Sequence, residues 1–257
     1  MKVPILSELK SKGESPEYLF WVGCAGSFDD RSKKVTKAFV KILNKANISY
    51  AILGKEESCT GDPAKRAGNE FLFQMKAIAN IEILNSYSIK NIITTCPHCF
   101  NTIKNEYPEL GGNYNVIHHT TFINNLIKEN RISIGGGFYK GKRITYHDPC
   151  YLGRANGIYE APREVIEKLD AELVEMKSCK SKSLCCGAGG AQMFKEPEKG
   201  NQDINIKRSE EAINTDSEIV AVSCPFCNTM MSDGMTSKEK NINVLDIAQM
   251  IEKAEDL

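Results

Sequence analysis

The chain has 257 residues, 41% of them hydrophobic and 26% charged, which suits either one large domain or two modest ones. Its 33 basic and 33 acidic side chains cancel, leaving no basic excess for non-specific nucleic-acid binding, and no apolar run reaches the ~18 residues of a membrane span. Ten cysteines are too few for a small disulfide scaffold. The start, Met1 to Lys10, does not read as an export signal. The thiols are therefore expected in a reducing, cytoplasmic setting, where clustered cysteines point to metal or redox chemistry.

Residues 1–17, with Pro4, Gly13 and Pro16, read as an N-terminal arm that either lies on a partner or frays. A first domain is expected over 18–134. It opens with a buried strand at 18–22, then a helix whose apolar face is Val35, Ala38, Phe39, Ile42, Leu43 and Ala46. A strand at 50–53 follows. A second amphipathic helix is expected to bury Leu72, Met75, Ala79 and Ile83, and a β-branched strand covers 91–95. The glycine run Gly135, Gly136, Gly137 marks a boundary. The second domain, 138–257, repeats the order: a strand at 143–147, a helix opened by Glu160, Ala161 and Pro162, a strand at 172–176, a helix near 203–213 and a strand at 218–223. This alternation predicts an α/β fold of two tandem, pseudo-symmetric units, each a mainly parallel sheet with flanking helices.

Nine of the ten cysteines fall into two sets. Cys24, Cys59, Cys96 and Cys99 belong to the first unit; Cys150, Cys185, Cys186, Cys224 and Cys227 belong to the second. Pairing Cys24 with Cys150, Cys59 with Cys186, Cys96 with Cys224 and Cys99 with Cys227 gives offsets of 126, 127, 128 and 128, the mark of a duplication. On this pairing Ser58 occupies the place of the missing first-unit thiol. Each set follows the carboxyl ends of the predicted strands, the edge where parallel α/β units bind ligands, so thiols far apart in sequence are expected to converge.

Four readings of the thiols remain open on residues alone. Cys96-Pro97-His98-Cys99 sits after a strand, the setting of a thiol–disulfide exchange motif, but exchange leaves five thiols without a role. Zinc suits four thiolates and is exceeded by five. Buried structural cysteine is the reading for a lone residue such as Cys179, which has no counterpart and is left as a free thiol. Iron–sulfur ligation uses all nine, with loops bringing the thiolates together.

The segments Cys185-Cys186-Gly187-Ala188-Gly189-Gly190, His147-Asp148-Pro149-Cys150-Tyr151-Leu152-Gly153-Arg154 and Ser223-Cys224-Pro225-Phe226-Cys227 resemble the CCG (cysteine-rich) domain family. That family includes a subunit of heterodisulfide reductase, the glycolate oxidase iron–sulfur subunit and lactate utilisation protein A. The resemblance implies a non-cubane 4Fe-4S cluster on Cys150, Cys185, Cys186, Cys224 and Cys227. The first copy departs from the pattern at Ser58-Cys59-Thr60-Gly61, so Cys24, Cys59, Cys96 and Cys99 imply an ordinary 4Fe-4S cubane, zinc, or an empty site. The function implied is an iron–sulfur electron-transfer subunit working between a flavin dehydrogenase or electron-transferring flavoprotein and a ferredoxin-type or quinone-linked partner, reaching a membrane only through a partner. A disulfide reductase using the second cluster and a zinc-stabilised scaffold are the alternatives.

His98 and His147 are candidates for hydrogen bonds to cluster sulfur, each beside its own unit's thiols. His118 and His119 end a strand without an acidic or thiol partner in their segment. Lys65, Arg66 and Arg154 follow thiol loops, where they offset cluster charge or are simply solvated. Gly187 to Gly190 read as backbone room beside the thiol pair rather than a nucleotide loop.

Overall fold

A computed structural model describes residues 3–135, 137–196 and 199–257. The elements run α1 (Leu6–Ser11), β1 (Tyr18–Trp21), α2 (Gly23–Phe28), α3 (Asp30–Lys45), β2 (Tyr50–Ala51), α4 (Asp62–Arg66), α5 (Glu70–Ser86), β3 (Asn91–Thr94), α6 (Pro97–Asn101), β4 (Asn115–His118) and α7 (His119–Lys128). They continue with β5 (Arg143–Tyr146), α8 (Glu160–Lys168), β6 (Glu172–Leu173), α9 (Ile204–Ile213), β7 (Ile219–Val222), α10 (Pro225–Ser237), β8 (Asn243–Asp246) and α11 (Ile247–Ala254). Of the glycine run taken as the boundary, Gly136 lies outside the described residues.

Both sheets have four strands, all parallel, in the orders β2-β1-β3-β4 and β6-β5-β7-β8. The expected architecture of two mainly parallel α/β units therefore holds. The outer strands β2 and β6 keep two paired residues each, shorter than the sequence pattern suggests. Residues 3–11 of the expected arm lie against the chain's own first sheet. Ile5 bridges Ile52, and the buried Leu6 donates its amide to the Ile52 carbonyl at 2.9 Å.

The units pack reciprocally. Helix α3 of the first lies on α11 of the second, and α7 of the first on α8 of the second. Since α3 corresponds to α8 and α7 to α11 in chain order, this is the exchange a pseudo-twofold axis makes. One core cluster crosses the boundary, joining Phe39, Ile42 and Phe122 to Tyr146, Ile166 and Ile251. Burial of so much shared apolar surface gives the units little freedom to separate.

Helix α5 overturns one expectation. Its buried residues are Phe73, Ala77, Asn80, Ile81 and Leu84, while Phe71, Leu72, Met75 and Ile78 are exposed. The helix is apolar on both sides, and periodicity cannot choose between two apolar faces. The N-cap at Asn69, accepting from the Leu72 amide at 3.0 Å, sets the start of the helix, and packing on the sheet decides the rest.

Candidate iron–sulfur sites

Each thiol set gathers at the carboxyl edge of its sheet. Cys24 lies on α2 after β1, Cys59 in the loop before α4, and Cys96 caps α6 after β3. Cys150 follows β5, Cys185 and Cys186 lie in the long connection between β6 and α9, and Cys224 caps α10 after β7. Proline at the first position of α6 and of α10 removes an amide that would have no intrahelical partner.

In the first unit Cys24, Cys59, Cys96 and Cys99 line one pocket with Asp62 and His98. In the second, Cys186 Sγ and Cys227 Sγ stand 3.3 Å apart, and Cys150 lies beside Cys185. All ten cysteines are free thiols. Close thiols share protons, and both sites do so in the same sense. A hydrogen bond with Cys59 and burial raise the Cys24 pKa, whereas Cys59 is drawn down to about 6 by that bond, against burial. Cys150 and Cys185 repeat the pair, one raised and the other lowered, through their shared hydrogen bond. Lowered thiols are the ones ready to act as thiolates.

The repeated contacts also correct the alignment of the two units. The Gly61 amide donates to Cys59 Sγ at 3.5 Å, and the Gly187 amide donates to Cys185 Sγ at 3.3 Å. Gly61 has φ +90° and Gly187 φ +93°, a left-handed conformation natural to glycine. Thr60 Oγ1 points to Cys99 as Cys186 Sγ points to Cys227. Cys59 therefore matches Cys185, and Thr60, not Ser58, stands where the second unit has Cys186. Ser58 instead donates to Asn80 Oδ1 at 2.9 Å, and Asn80 in turn donates to the Cys59 carbonyl and to Tyr107. Sequence spacing misplaced this position by one residue because the second unit has two more residues between Cys185 and Cys224 than the first has between Cys59 and Cys96.

Donors surround the second site. His147 is fully buried, and its Nδ1 accepts from Arg208 Nε at 3.0 Å, so the ring proton belongs on Nε2. Nε2 has no partner among the described residues, and the ring reaches within 4.8 Å of Cys186 Sγ and Cys227 Sγ. Burial and the Arg208 charge hold the His147 pKa down at about 3, which keeps the ring neutral. In this tautomer the ring offers an N–H to sulfur and no lone pair to a metal. The thiol donor sets and this orphaned N–H fit an iron–sulfur cluster, whose sulfurs accept such bonds.

Other side chains fix the loops. Asp148, two residues before Cys150, pairs in bidentate fashion with Arg163 at 2.8 and 2.9 Å and accepts from the Lys180 amide. The half-buried Glu57 carboxylate accepts from the amides of Val22 and Gly23, just before Cys24; desolvation lifts its pKa to about 7. Sequence reading missed Glu57, Arg163 and Arg208. Only the proximity of Asp148 to Cys150 hinted at one of these networks.

Several expectations change. His98 bonds Asp62 of its own unit at 2.8 Å and also packs its ring against Tyr151 and Phe226 of the second. His119 does have an acidic partner, Asp246 of the second unit, at 2.9 Å, and His118 bonds Thr120 at 2.8 Å. Both rings sit in the interface as structural residues. Lys65 pairs with Glu106, Arg66 with Asp62 and Glu106, and Arg154 with Ser183, so all three are committed to protein partners. Cys179 is half-buried and is raised by burial and then by Glu175.

The profile of the cysteine-rich domain, CCG, matches residues 18–104 and again 144–232. The chain belongs to the CCG family. The CCG chain is 41% identical over 254 residues to the EtfAB:quinone oxidoreductase of Syntrophomonas wolfei, covering 96% of this chain and 35% of that protein. It is also 41% identical over 253 residues to the probable iron-sulfur-binding oxidoreductase FadF of Bacillus subtilis, covering 97% of this chain and 36% of that protein. With a subunit of the dihydromethanophenazine:CoB--CoM heterodisulfide reductase of Methanosarcina barkeri it shares 32% identity over 248 residues, 94% of this chain and 59% of that one. The CCG chain thus spans about a third to three fifths of the length of these relatives. Among the described residues no helix is long and apolar enough to cross a membrane.

Proposed function

We propose that the chain is the iron–sulfur electron-transfer unit of a larger oxidoreductase. Cys24, Cys59, Cys96 and Cys99 hold a 4Fe-4S cubane, and Cys150, Cys185, Cys186, Cys224 and Cys227 hold a non-cubane 4Fe-4S cluster. The observation that carries this reading is the convergence of nine free thiols into two sets at matching sheet edges, beside backbone and histidine N–H donors. When bound, iron–sulfur clusters accept and release single electrons. The chain's own part is to hold the thiols in place, to donate hydrogen bonds to sulfur from Gly61, Gly187 and His147, and to shield the sites with the packed units.

The name of the Syntrophomonas wolfei relative supports an electron-transferring flavoprotein on one side and a quinone-linked partner on the other. Electrons enter and leave through those partners, because the chain carries no nucleotide-binding fingerprint. Anaerobic purification followed by iron and sulfide analysis, optical spectra and EPR tests the reading. Two distinct cluster signals are expected, with little turnover of small substrates until a partner is added. Zinc without sulfide overturns it. Rapid reduction of a disulfide by the isolated, chemically reduced protein replaces the carrier reading with a catalytic one.

A further inference from the structure

His98 is carried by the first unit and packs against the second. It lies on α6 between Cys96 and Cys99, and 6% of its surface is exposed. Its Nδ1 donates to Asp62 Oδ2 at 2.8 Å. Asp62 opens α4, three residues after Cys59, and it is itself fixed by Arg66 Nε at 3.0 Å. The other side of the ring is wedged among second-unit residues. Tyr151, next to Cys150, lies 4.6 Å away between ring centroids, and Phe226, between Cys224 and Cys227, lies 4.9 Å away. With Nδ1 occupied by Asp62, Nε2 is the ring nitrogen left to face the Cys224–Cys227 loop that carries Phe226.

We propose that His98 couples the two sites: held by Asp62, it donates a hydrogen bond from the loop of the first cluster to a thiolate ligand of the second. This rests on the iron–sulfur reading above and adds to it a specific link between the sites. A donor on a ligand sulfur stabilises the extra negative charge of the reduced cluster, so His98 raises the potential of the second site. The same bond shortens the route between sites, since His98 lies in the chain between Cys96 and Cys99. In the transfer it serves, one electron delivered to the first site by a reduced flavoprotein passes on, leaving that site oxidised and the second reduced. No proton moves and no bond breaks. Asp62 acts as a positioning residue, because it fixes which ring nitrogen faces sulfur.

The test uses the loaded protein with His98→Leu and His98→Gln, matched for iron content, in EPR-monitored redox titrations. In His98→Leu the second site should become harder to reduce by about tenfold or more in equilibrium constant, the cost of a lost charge-assisted hydrogen bond. For one electron that is about 59 mV per factor of ten. His98→Gln keeps an N–H donor and should recover part of the shift. An unchanged second-site potential in iron-replete His98→Leu overturns the coupling and leaves the electron-transfer reading intact, whereas wild-type protein without iron or sulfide removes that reading itself. Should His98→Leu fail to hold its clusters, labelling decides. The chain has 4 histidines. In 15N-histidine-labelled His147→Gln protein, a histidine nitrogen coupled to the reduced second cluster is expected from His98, and its absence overturns the proposal.

Discussion

Removing Arg163 should destabilise the protein more than any exposed change, and should do so through Asp148. The two side chains are 3% and 2% exposed. All five guanidinium donors are used: two on Asp148, two on Glu175 and one on the Tyr159 carbonyl, at 2.6 to 2.9 Å. Arg163→Met keeps the bulk on α8 but strands the Asp148 carboxylate beside the Lys180 amide alone. Breaking a buried pair from one side costs about 3–5 kcal/mol. Glu175 is one-third exposed and water can replace its partner, so it adds little. At about 2–4 °C per kcal/mol for a domain of this size, Tm should fall by roughly 6–20 °C. Denaturant and thermal unfolding of the cluster-free protein under reducing conditions, followed by circular dichroism, measure this directly. Adding Asp148→Asn to Arg163→Met should recover part of the loss, since the stranded charge is gone. A loss below about 1 kcal/mol in the single variant, or a double variant no better than the single, would refute the argument.

Three further outcomes are expected. Thr60→Cys should give the first site a fifth thiol and move its EPR signal towards that of the second, while Cys186→Ser should do the reverse; a first-site signal that responds to Ser58→Cys instead would restore the spacing-based alignment. On α5, Phe73→Ala should cost about 3–5 kcal/mol and Met75→Lys should stay within about 0.5 kcal/mol, both read by urea unfolding. Gly234→Ala should cost about 1–3 kcal/mol in the same assay, because a β-carbon there overlaps Ser209 Oγ and reaches the Asn205 carbonyl at 3.0 Å where α9 and α10 meet.

The duplication, the alternation of strand and helix and the grouping of nine thiols behind strand ends were all legible in the residues. These are features that local rules impose. A buried parallel strand needs a β-branched, apolar run, a crossover needs a helix, and the loop after each strand must open at one sheet edge. What sequence could not decide was every choice that depends on which surfaces meet. Helix α5 is apolar on two sides, and only its contact with the sheet selects Phe73 and Leu84 over Leu72 and Met75. Ser58 and Thr60 both flank Cys59, and only the paired contacts of Gly61 and Gly187 assign Thr60 to the place of Cys186. Arg208 and His119 find partners 61 and 127 residues away, and the His98 ring packs on Phe226 of the other unit. Such pairs have no local period to betray them, because they form only once the two halves have closed around a shared core.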